Sequence, residues 1–501
     1  MLSRVVLAGN STVASEHPLA SLAGYDVLRN GGNAFDAAVA TSFTLSVTMH
    51  HLGGLGGDFF GMFFEAKSGK VRCLNSSGWA PSGLTLDLVK SKGEKQVPVF
   101  GPLSCVIPGQ IAGVWAMHKK LGRKEWRPLL DAAKNFAFKG FLATEGYSRS
   151  TAIALPEFSP EARQVFAPKG VPPSPGTVIR QENLGRLVSE IAEGGEEVFY
   201  RGWPADEIQE VLKEKGVRTD PSDLHDFRPE WVDPLALDYR GTTVYETPPN
   251  SIGPTTLLML RILSEQQISK FGPLSKERME LTLRAAEVAY ERKDAMLCDP
   301  RFNHIDIDAF MNTSMGKGHY GGRISEGDTT AFSVADGEGN LVSGIQSLFR
   351  HFGSRVFVPR CGIMLNDRAS GFRLEGPNKV APRKRPLHTL SSVILRQASS
   401  RNIALGTSGG DYRPLQHTLL INNLVDFEMP IEKAIDHPRF LWSEGKELMV
   451  ETGFEEFDSP QYHVQRLQMP GHTGVCQAID VQGRTQRAVC DVRGDGIPVG
   501  F

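Results

Sequence analysis

Hydrophobic and polar positions alternate through Thr329-Thr330-Ala331-Phe332-Ser333-Val334-Ala335, break at Asp336-Gly337-Glu338-Gly339-Asn340, and resume in Leu341-Val342-Ser343. Period-two alternation on both sides of a Gly/Asp/Asn turn predicts a β-hairpin, with strands at 329–335 and 341–348. Upstream the period changes. Leu19, Leu22, Ala23 and Val27 recur at helical spacing over 18–30, Gly31-Gly32 stops that run, and Asn33 caps a second helix. Further amphipathic helices are expected near 108–121, 128–138, 182–193, 204–215, 254–269 and 275–293, so the first half supplies most of the helices. Beyond Thr329 strands dominate, at 356–358, 391–396, 402–406, 447–451 and as a closing pair within 476–490, with helices at 412–425 and 430–436. The mixture is that of an α/β protein.

Two irregular segments interrupt this pattern. Residues 166–177 hold Pro168, Gly170, Pro172, Pro173, Pro175 and Gly176 and read as a surface connection. Residues 303–328 carry Gly316, Gly318, Gly321, Gly322 and Gly327, which gives slack to the chain just before the hairpin. No internal repeat is visible.

Composition narrows the function classes. A length of 501 residues suits about three domains or one layered α/β unit. Lys and Arg number 55 against 57 Asp and Glu, a net charge of -2, which leaves no basic surface for nucleic acid and no polybasic run for an anionic membrane. The apolar run in 1–10 is short, is broken by polar residues and reads as a first strand. The stretch 37–47 contains Ser42 and Thr44 and is too short to span a bilayer. With no anchor visible, the reading is a cytoplasmic protein. Cys73, Cys105, Cys298, Cys361, Cys476 and Cys490 show no CxxC spacing and no partnered histidines, so neither a zinc site nor a redox motif is indicated. They read as reduced structural thiols; Cys476 and Cys490 could bridge only in a secreted chain.

The hairpin also carries candidate chemistry. A threonine hydroxyl is a weak nucleophile, but a cut between Asp328 and Thr329 frees an α-amino group on Thr329 that can serve as its base. The chain would then be a self-activating precursor. A second motif, Ala404-Leu405-Gly406-Thr407-Ser408-Gly409-Gly410-Asp411, runs a strand into paired glycines whose N–H groups can approach an oxyanion unobstructed. A rival reading uses the same stretch. Gly406-Thr407-Ser408-Gly409-Gly410 matches the Gly-x-Ser-x-Gly elbow, with His51-Leu52-Gly53-Gly54 hinting at an oxyanion loop, and would make Ser408 the nucleophile. Little chain follows Ser408 to supply an acid and a histidine, although His417, His437, His463 and His472 lie there.

The segment from Thr329, with Ser333 and Val334, resembles the small-subunit start of the gamma-glutamyltranspeptidase (glutathione hydrolase) family of N-terminal-nucleophile hydrolases. Further landmarks follow in family order: residues 29–40 (RNGGNAFDAAVA), Leu55-Gly56-Gly57-Asp58, Asp238-Tyr239-Arg240-Gly241, Arg385-Pro386-Leu387, Gly409-Gly410 and His437-Pro438-Arg439-Phe440. The resemblance implies a four-layer αββα fold, with a large-subunit region 1–328 and a small-subunit region 329–501 forming one intertwined unit. It implies cleavage between Asp328 and Thr329, Thr329 as nucleophile, Ser347 in place of a second threonine that bonds it, and Gly409 with Gly410 as oxyanion hole. No cofactor or metal is implied. The partners are a small gamma-glutamyl or acyl-amide substrate and the two subunits of one precursor, with a homodimer of such heterodimers as a further option.

The substrate positions depart from the family. Phe349 stands where an asparagine is usual, Arg368 for a Gln or Glu, Gly371 for the aspartate that holds an α-amino group, and Ser77 for the arginine that grips an α-carboxylate. His388 and Thr389 replace a serine pair. An ammonium needs a carboxylate partner once desolvated, so simple inheritance of gamma-glutamyl specificity is not expected. The reading is an autoprocessing amidohydrolase or acyltransferase of a divergent, cephalosporin-acylase-like branch, with Arg368, His388, Thr389 and Asp411 as substrate-binding residues. The alternatives are a descendant that has lost activity and the serine hydrolase at Ser408.

Overall fold

The predicted hairpin forms, with Asp328–Ala335 paired antiparallel to Leu341–Phe349. In the computed structural model, which describes residues 3–316, 320, 327–442 and 446–501, this hairpin lies at the middle of a seven-stranded sheet. The order is Val499–Gly500, Thr12–Ser15, Asp328–Ala335, Leu341–Phe349, Asp58–Glu65, Lys70–Ser76 and Glu230–Val232. A second seven-stranded sheet runs Arg4–Ala8, Thr485–Cys490, Cys476–Gln482, Arg401–Thr407, Val393–Gln397, Thr242–Glu246 and Leu235–Tyr239. All neighbours in both sheets pair antiparallel.

Each sheet buries both faces. Between them Ala14, Met62, Ala335 and Leu341 of the first meet Ile394, Ala404, Ile479 and Ala488 of the second. On its other side the first sheet packs Phe59, Phe63, Phe332 and Val334 against Val39, Phe43, Ile111 and Val114 of helices. The second sheet packs Val393, Leu395, Leu405 and Ala478 against Leu257, Leu260, Leu420 and Leu424. Each such large side chain contributes roughly 1.5–3 kcal/mol by leaving water.

The helix at Asn33 forms as its cap predicts. Asn33 Oδ1 accepts from the Phe35 and Asp36 N–H groups, Asp36 returns to the Asn33 N–H, and the helix runs Ala34–Thr48. Every residue in it is buried. Of its polar side chains, the Ser46 and Thr48 hydroxyls donate to carbonyls one turn back. Other helices match within a few residues, including Gln110–Leu121, Glu182–Gly194 and Lys276–Met296. Two differ. The helix expected over 128–138 is split into Trp126–Leu129 and Asp131–Lys139, and the one expected over 254–269 ends at Ser264, where its apolar face gives way to Glu265, Gln266 and Gln267.

The first strand is observed as Arg4–Ala8, with Met1 and Leu2 outside the described residues. Gly318, Gly321 and Gly322 of the glycine-rich segment also lie outside them. The six cysteines are buried and free, Cys476 and Cys490 included. Among the described residues no helix is long and apolar enough to cross a membrane.

Candidate active site

Thr329 enters the first sheet in a bulge. The register slips between Asp328 and Thr330 opposite Phe349 and Gln346, which frees the Thr329 side chain from regular pairing. Its Oγ1 donates to Ser347 Oγ at 3.2 Å. The Ser347 hydroxyl in turn donates to the Asp328 carbonyl at 2.9 Å and accepts from the Phe349 N–H at 2.8 Å. A single serine hydroxyl thus touches both the threonine hydroxyl and the carbonyl that precedes it. Thr329 and Ser347 are fully buried, whereas the Asp328 carboxylate is partly exposed and faces His351 Nε2 at 3.1 Å.

The glycine pair lies beside this strand. A methyl on Gly406 would come within 2.9 Å of the Ala331 Cβ, and one on Gly327 within 3.3 Å of the Gly410 Cα, so the loop after Gly406 passes the chain just ahead of Thr329. Gly409 has φ +135° and Gly410 φ +56°, a backbone path that side chains resist. Ser408 does not resemble an exposed elbow nucleophile. Its N–H donates to the Val475 carbonyl at 2.8 Å and its hydroxyl accepts the Val475 N–H at 3.0 Å, with no histidine bonded to it among the described residues. His51 is buried among Tyr147, His50 and Phe352 rings.

Two cavities lie near the site, and neither is lined by Thr329 or Ser347 themselves. One of about 610 Å³ is lined by Gly327, Asp328, Ser408, Gly409 and Glu16. The other, about 530 Å³, is lined by Phe349, Arg368, Gly371, Thr389, Asp411 and Lys293 among others. Arg368 is buried rather than a surface ion-pair residue, stacks 4.1 Å over the Phe349 ring and donates from Nη1 to Thr389 Oγ1 at 2.9 Å. Burial lowers its pKa to about 10, against the pull of Asp58 and Asp367. For Lys293 burial acts the same way, but Asp411 and Asp294, each 3.4 Å from Nζ, outweigh it and hold the ammonium charged.

His388 is the exception among the expected substrate residues. Its Nδ1 accepts from the Leu390 N–H at 3.1 Å, so Nε2 carries the proton and donates to Asp58 Oδ2 at 2.8 Å. Both ring nitrogens are used, the side chain is sealed, and it does not line the cavity. Asp58, opposite Ser347 in the sheet, is pushed up to about 7 by burial, against Arg368 and the Gly78 N–H. His388 therefore braces Asp58 behind Arg368. Ser77 is likewise turned away, its hydroxyl donating to Asn75 Oδ1 at 2.7 Å.

A family model described as Gamma-glutamyltranspeptidase matches residues 20–501. The chain belongs to the gamma-glutamyltranspeptidase family. It is 34% identical, over the full length of both chains, to the glutathione hydrolase-like YwrD proenzyme of Bacillus subtilis. Its fold is similar to that of the cephalosporin acylase from Bacillus halodurans, with TM-score 0.90 and 30% identity, covering 100% of this chain and 97% of that one. The gamma-glutamyltranspeptidase of Helicobacter pylori is similar with TM-score 0.57 and 28% identity, covering 60% of this chain and 87% of that one.

Within this gamma-glutamyltranspeptidase-family chain, sequence reasoning brought Thr329, Ser347, Gly409 and Gly410 to one place and Arg368, Thr389 and Asp411 to one cavity. It assigned no role to Asp58, although Leu55-Gly56-Gly57-Asp58 stood out as a landmark. It also passed over Glu16, Lys293 and Arg413. Lys293 and Arg413 sit in or at the start of helices, where a charged residue carries no signal of its own.

Proposed function

We propose that the chain is an autoprocessing acyl-amide hydrolase whose nucleophile is Thr329. The observation that supports this best is the chain Thr329 Oγ1–H to Ser347 Oγ–H to the Asp328 carbonyl. As Thr329 Oγ1 attacks the Asp328 carbonyl carbon, its proton passes to Ser347 and the Ser347 proton passes to the carbonyl oxygen. Collapse breaks the C–N bond as the proton on that oxygen passes to the departing nitrogen, leaving an ester on Thr329 and a free α-amine. Water then cleaves the ester, releasing the Asp328 carboxylate and restoring the hydroxyl.

The same parts serve turnover. The freed amine takes the Thr329 proton during attack on an amide substrate, Ser347 orients the hydroxyl, and the Gly409 and Gly410 N–H groups receive the oxyanion. The leaving amine departs protonated, and water, or an acceptor amine, releases the acyl group. Family membership and the relatives named above favour gamma-glutamyl or related acyl amides. Gly371 and Ser77, lacking the usual carboxylate and guanidinium, favour an acyl group without an α-amino group, such as glutaryl, held by Arg368.

Stacked as helices, sheet, sheet and helices, the chain reads as a four-layer αββα sandwich. Residues 1–328 and 329–501 then form one intertwined unit, since each sheet contains strands from both. The test is maturation. Intact-mass analysis of purified protein should find chains spanning 1–328 and 329–501, and Thr329→Ala should remain whole. A chain that stays uncut, or is cut elsewhere, overturns the reading.

A further inference from the structure

One carboxyl group beside the scissile bond is buried without the cation that an ionised carboxylate needs there. Glu16 is 3% exposed and its Oε1 accepts no hydrogen bond. Among the described residues no cation forms an ion pair with it. Burial pushes its pKa well above the usual carboxylate range, Asp328 adds to the rise, and the donors of Thr330 and Ala331 oppose it. A buried carboxylate is costly to ionise alone, and a cation supplied at its free oxygen offsets that cost.

Strand register places this carboxyl. Ser15 pairs with Phe332 at the end of Thr12–Ser15, so Glu16 continues opposite Ala331. Residues two apart on a strand share a face, which makes Thr329 the diagonal neighbour of Glu16, at a separation that a long side chain spans. The 610 Å³ cavity joins the two, since Glu16, Gly327 and Asp328 all line it. Asp328 is bonded to the Thr329 nitrogen, so cutting that bond leaves the new amine at the edge of this cavity.

We infer that Glu16 is the receptor for the α-amino group that self-cleavage frees on Thr329, its Oε1 accepting a hydrogen bond from that nitrogen. This rests on the reading of Thr329 as the nucleophile, and it adds Glu16 as a positioning residue that holds the amine beside the hydroxyl it deprotonates. Before the cut the carboxyl is neutral. After the cut its proton passes to the amine, and the ammonium–carboxylate pair then loses one proton to solvent to give the base. A carboxylate beside the amine favours the protonated form, so Glu16 sets the acid limb of turnover. Asp495 and Arg413 also face Glu16, as do the Cys476 and Cys490 thiols, which burial keeps protonated. Across the cavity His51 is kept neutral by burial, Arg493 is paired with Glu451 and Asp491, and His351 faces Asp328. These groups are shared by wild type and a Glu16 variant, so a difference between the two belongs to the carboxylate.

The test reads the amine itself. In processed protein, acetylation by acetic anhydride reports the unprotonated fraction of the Thr329 amine, with the peptide that begins at Thr329 quantified by mass spectrometry. Glu16→Gln keeps the shape and removes the charge. It should still cut itself, since no amine exists before the cut, and its Thr329 amine should react about tenfold faster than that of wild type at pH 6, the two rates converging at high pH. The acid limb of kcat/KM should move to lower pH in step, while the plateau falls by less than about tenfold, in kcat rather than KM. Glu16→Asp should restore the wild-type limb. Equal acetylation in wild type and Glu16→Gln, or a uniform loss of turnover at every pH, would make Glu16 a support for the strand only and overturns the inference. A comparison on the native residue covers a Glu16→Gln chain that does not fold: infrared spectra of processed wild type and uncut Thr329→Ala at pH 7 should differ by one neutral carboxyl, present only in the uncut chain. No such difference overturns the inference. A chain never cut before Thr329 overturns the function proposed above as well, whereas a chain cut there whose amine is indifferent to Glu16 overturns this inference alone.

Discussion

Two buried threonines in this protein present hydroxyl groups to hydrogen-bonded partners, and the better-looking arrangement is not the one at the strand bulge. Thr407 Oγ1 lies 2.9 Å from His417 Nε2, whose Nδ1 lies 2.7 Å from Glu246 Oε1, a hydroxyl–imidazole–carboxylate series. Thr329 has only a serine hydroxyl for a partner. Yet Thr407, His417 and Glu246 are sealed between the second sheet and the helix Arg413–Val425, and none of them lines either cavity. Thr329 is buried too and lines neither cavity itself, but it sits in a strand bulge next to the glycine pair, and the adjoining Gly327 and Asp328 line the 610 Å³ cavity. Hydrogen-bond geometry alone therefore does not mark a reactive centre. What separates the two is their surroundings: the proposed nucleophile has a cavity at the two residues before it and a serine partner that also bonds the preceding carbonyl, and Thr407 has neither.

The largest effect that could break this contrast is catalytic. Thr329→Ala should abolish both self-cleavage and turnover, a loss of roughly a hundred-thousandfold in kcat on any amide the wild type cleaves. Thr407→Val should leave kcat per folded molecule within about twofold and lower stability by about 1–3 kcal/mol, because His417 Nε2 loses its partner in the core. Denaturant melts and steady-state kinetics on the pair measure both quantities. A Thr407→Val protein that is stable but inactive would mean that the sealed series takes part in chemistry.

A smaller effect tests whether other buried imidazoles also act through stability. His50 stacks on Phe166 with ring centroids 4.7 Å apart, contacts the Val47 carbonyl at 3.0 Å through Nδ1, and is lowered to about 4 by burial. Its folded pKa lies below the unfolded value of 6.5. The neutral ring thus favours the folded state above 6.5, and that contribution is lost as pH falls toward 4, because the unfolded chain takes up the proton first. Between pH 7.5 and 5 the loss amounts to about 2 kcal/mol. His50→Phe should flatten the acid limb by that amount in melts of the Thr329→Ala chain. Asp58 titrates with the opposite sign: its carboxyl, raised to about 7, favours folding below pH 3.8 and loses that contribution as pH rises through 7. An unchanged acid limb in His50→Phe would show that His50 is protonated in the folded protein.

The same contrast explains what the amino-acid pattern could reveal. Thr329 opens a hairpin strand and Gly409 and Gly410 are neighbours, so local motifs carried them, whereas Ser347 was singled out by the family resemblance. Asn33 with Asp36 announced the buried helix through its cap. The strand Asp58–Glu65 escaped notice because its sequence, DFFGMFFE, is buried on nearly every side chain and shows no alternation. Asp58, His388, Arg368 and Arg413 meet from four separate segments, and their pairing is decided by sheet register and loop path. That is why His388 was expected to face a substrate and instead braces Asp58.

The smallest effect concerns Ser408, the residue on which the rival reading depends. Its hydroxyl accepts the Val475 N–H at 3.0 Å while its own N–H donates to the Val475 carbonyl at 2.8 Å, so it ties the strand end Arg401–Thr407 to the loop before Cys476. The backbone half of that tie survives truncation. Ser408→Ala should therefore cost about 1 kcal/mol of stability, the value of one partly buried hydrogen bond. Turnover should fall less than about tenfold, through small displacement of the adjoining Gly409 and Gly410 donors, and self-cleavage should still go to completion. A serine nucleophile would respond in the opposite way. Its loss would remove turnover by several orders of magnitude, and a fluorophosphonate would label Ser408 in the wild type but leave Thr329→Ala equally labelled. Mass spectrometry of the labelled protein distinguishes the two outcomes in one measurement, because the peptide containing Ser408 and the new amino terminus at Thr329 are separate fragments.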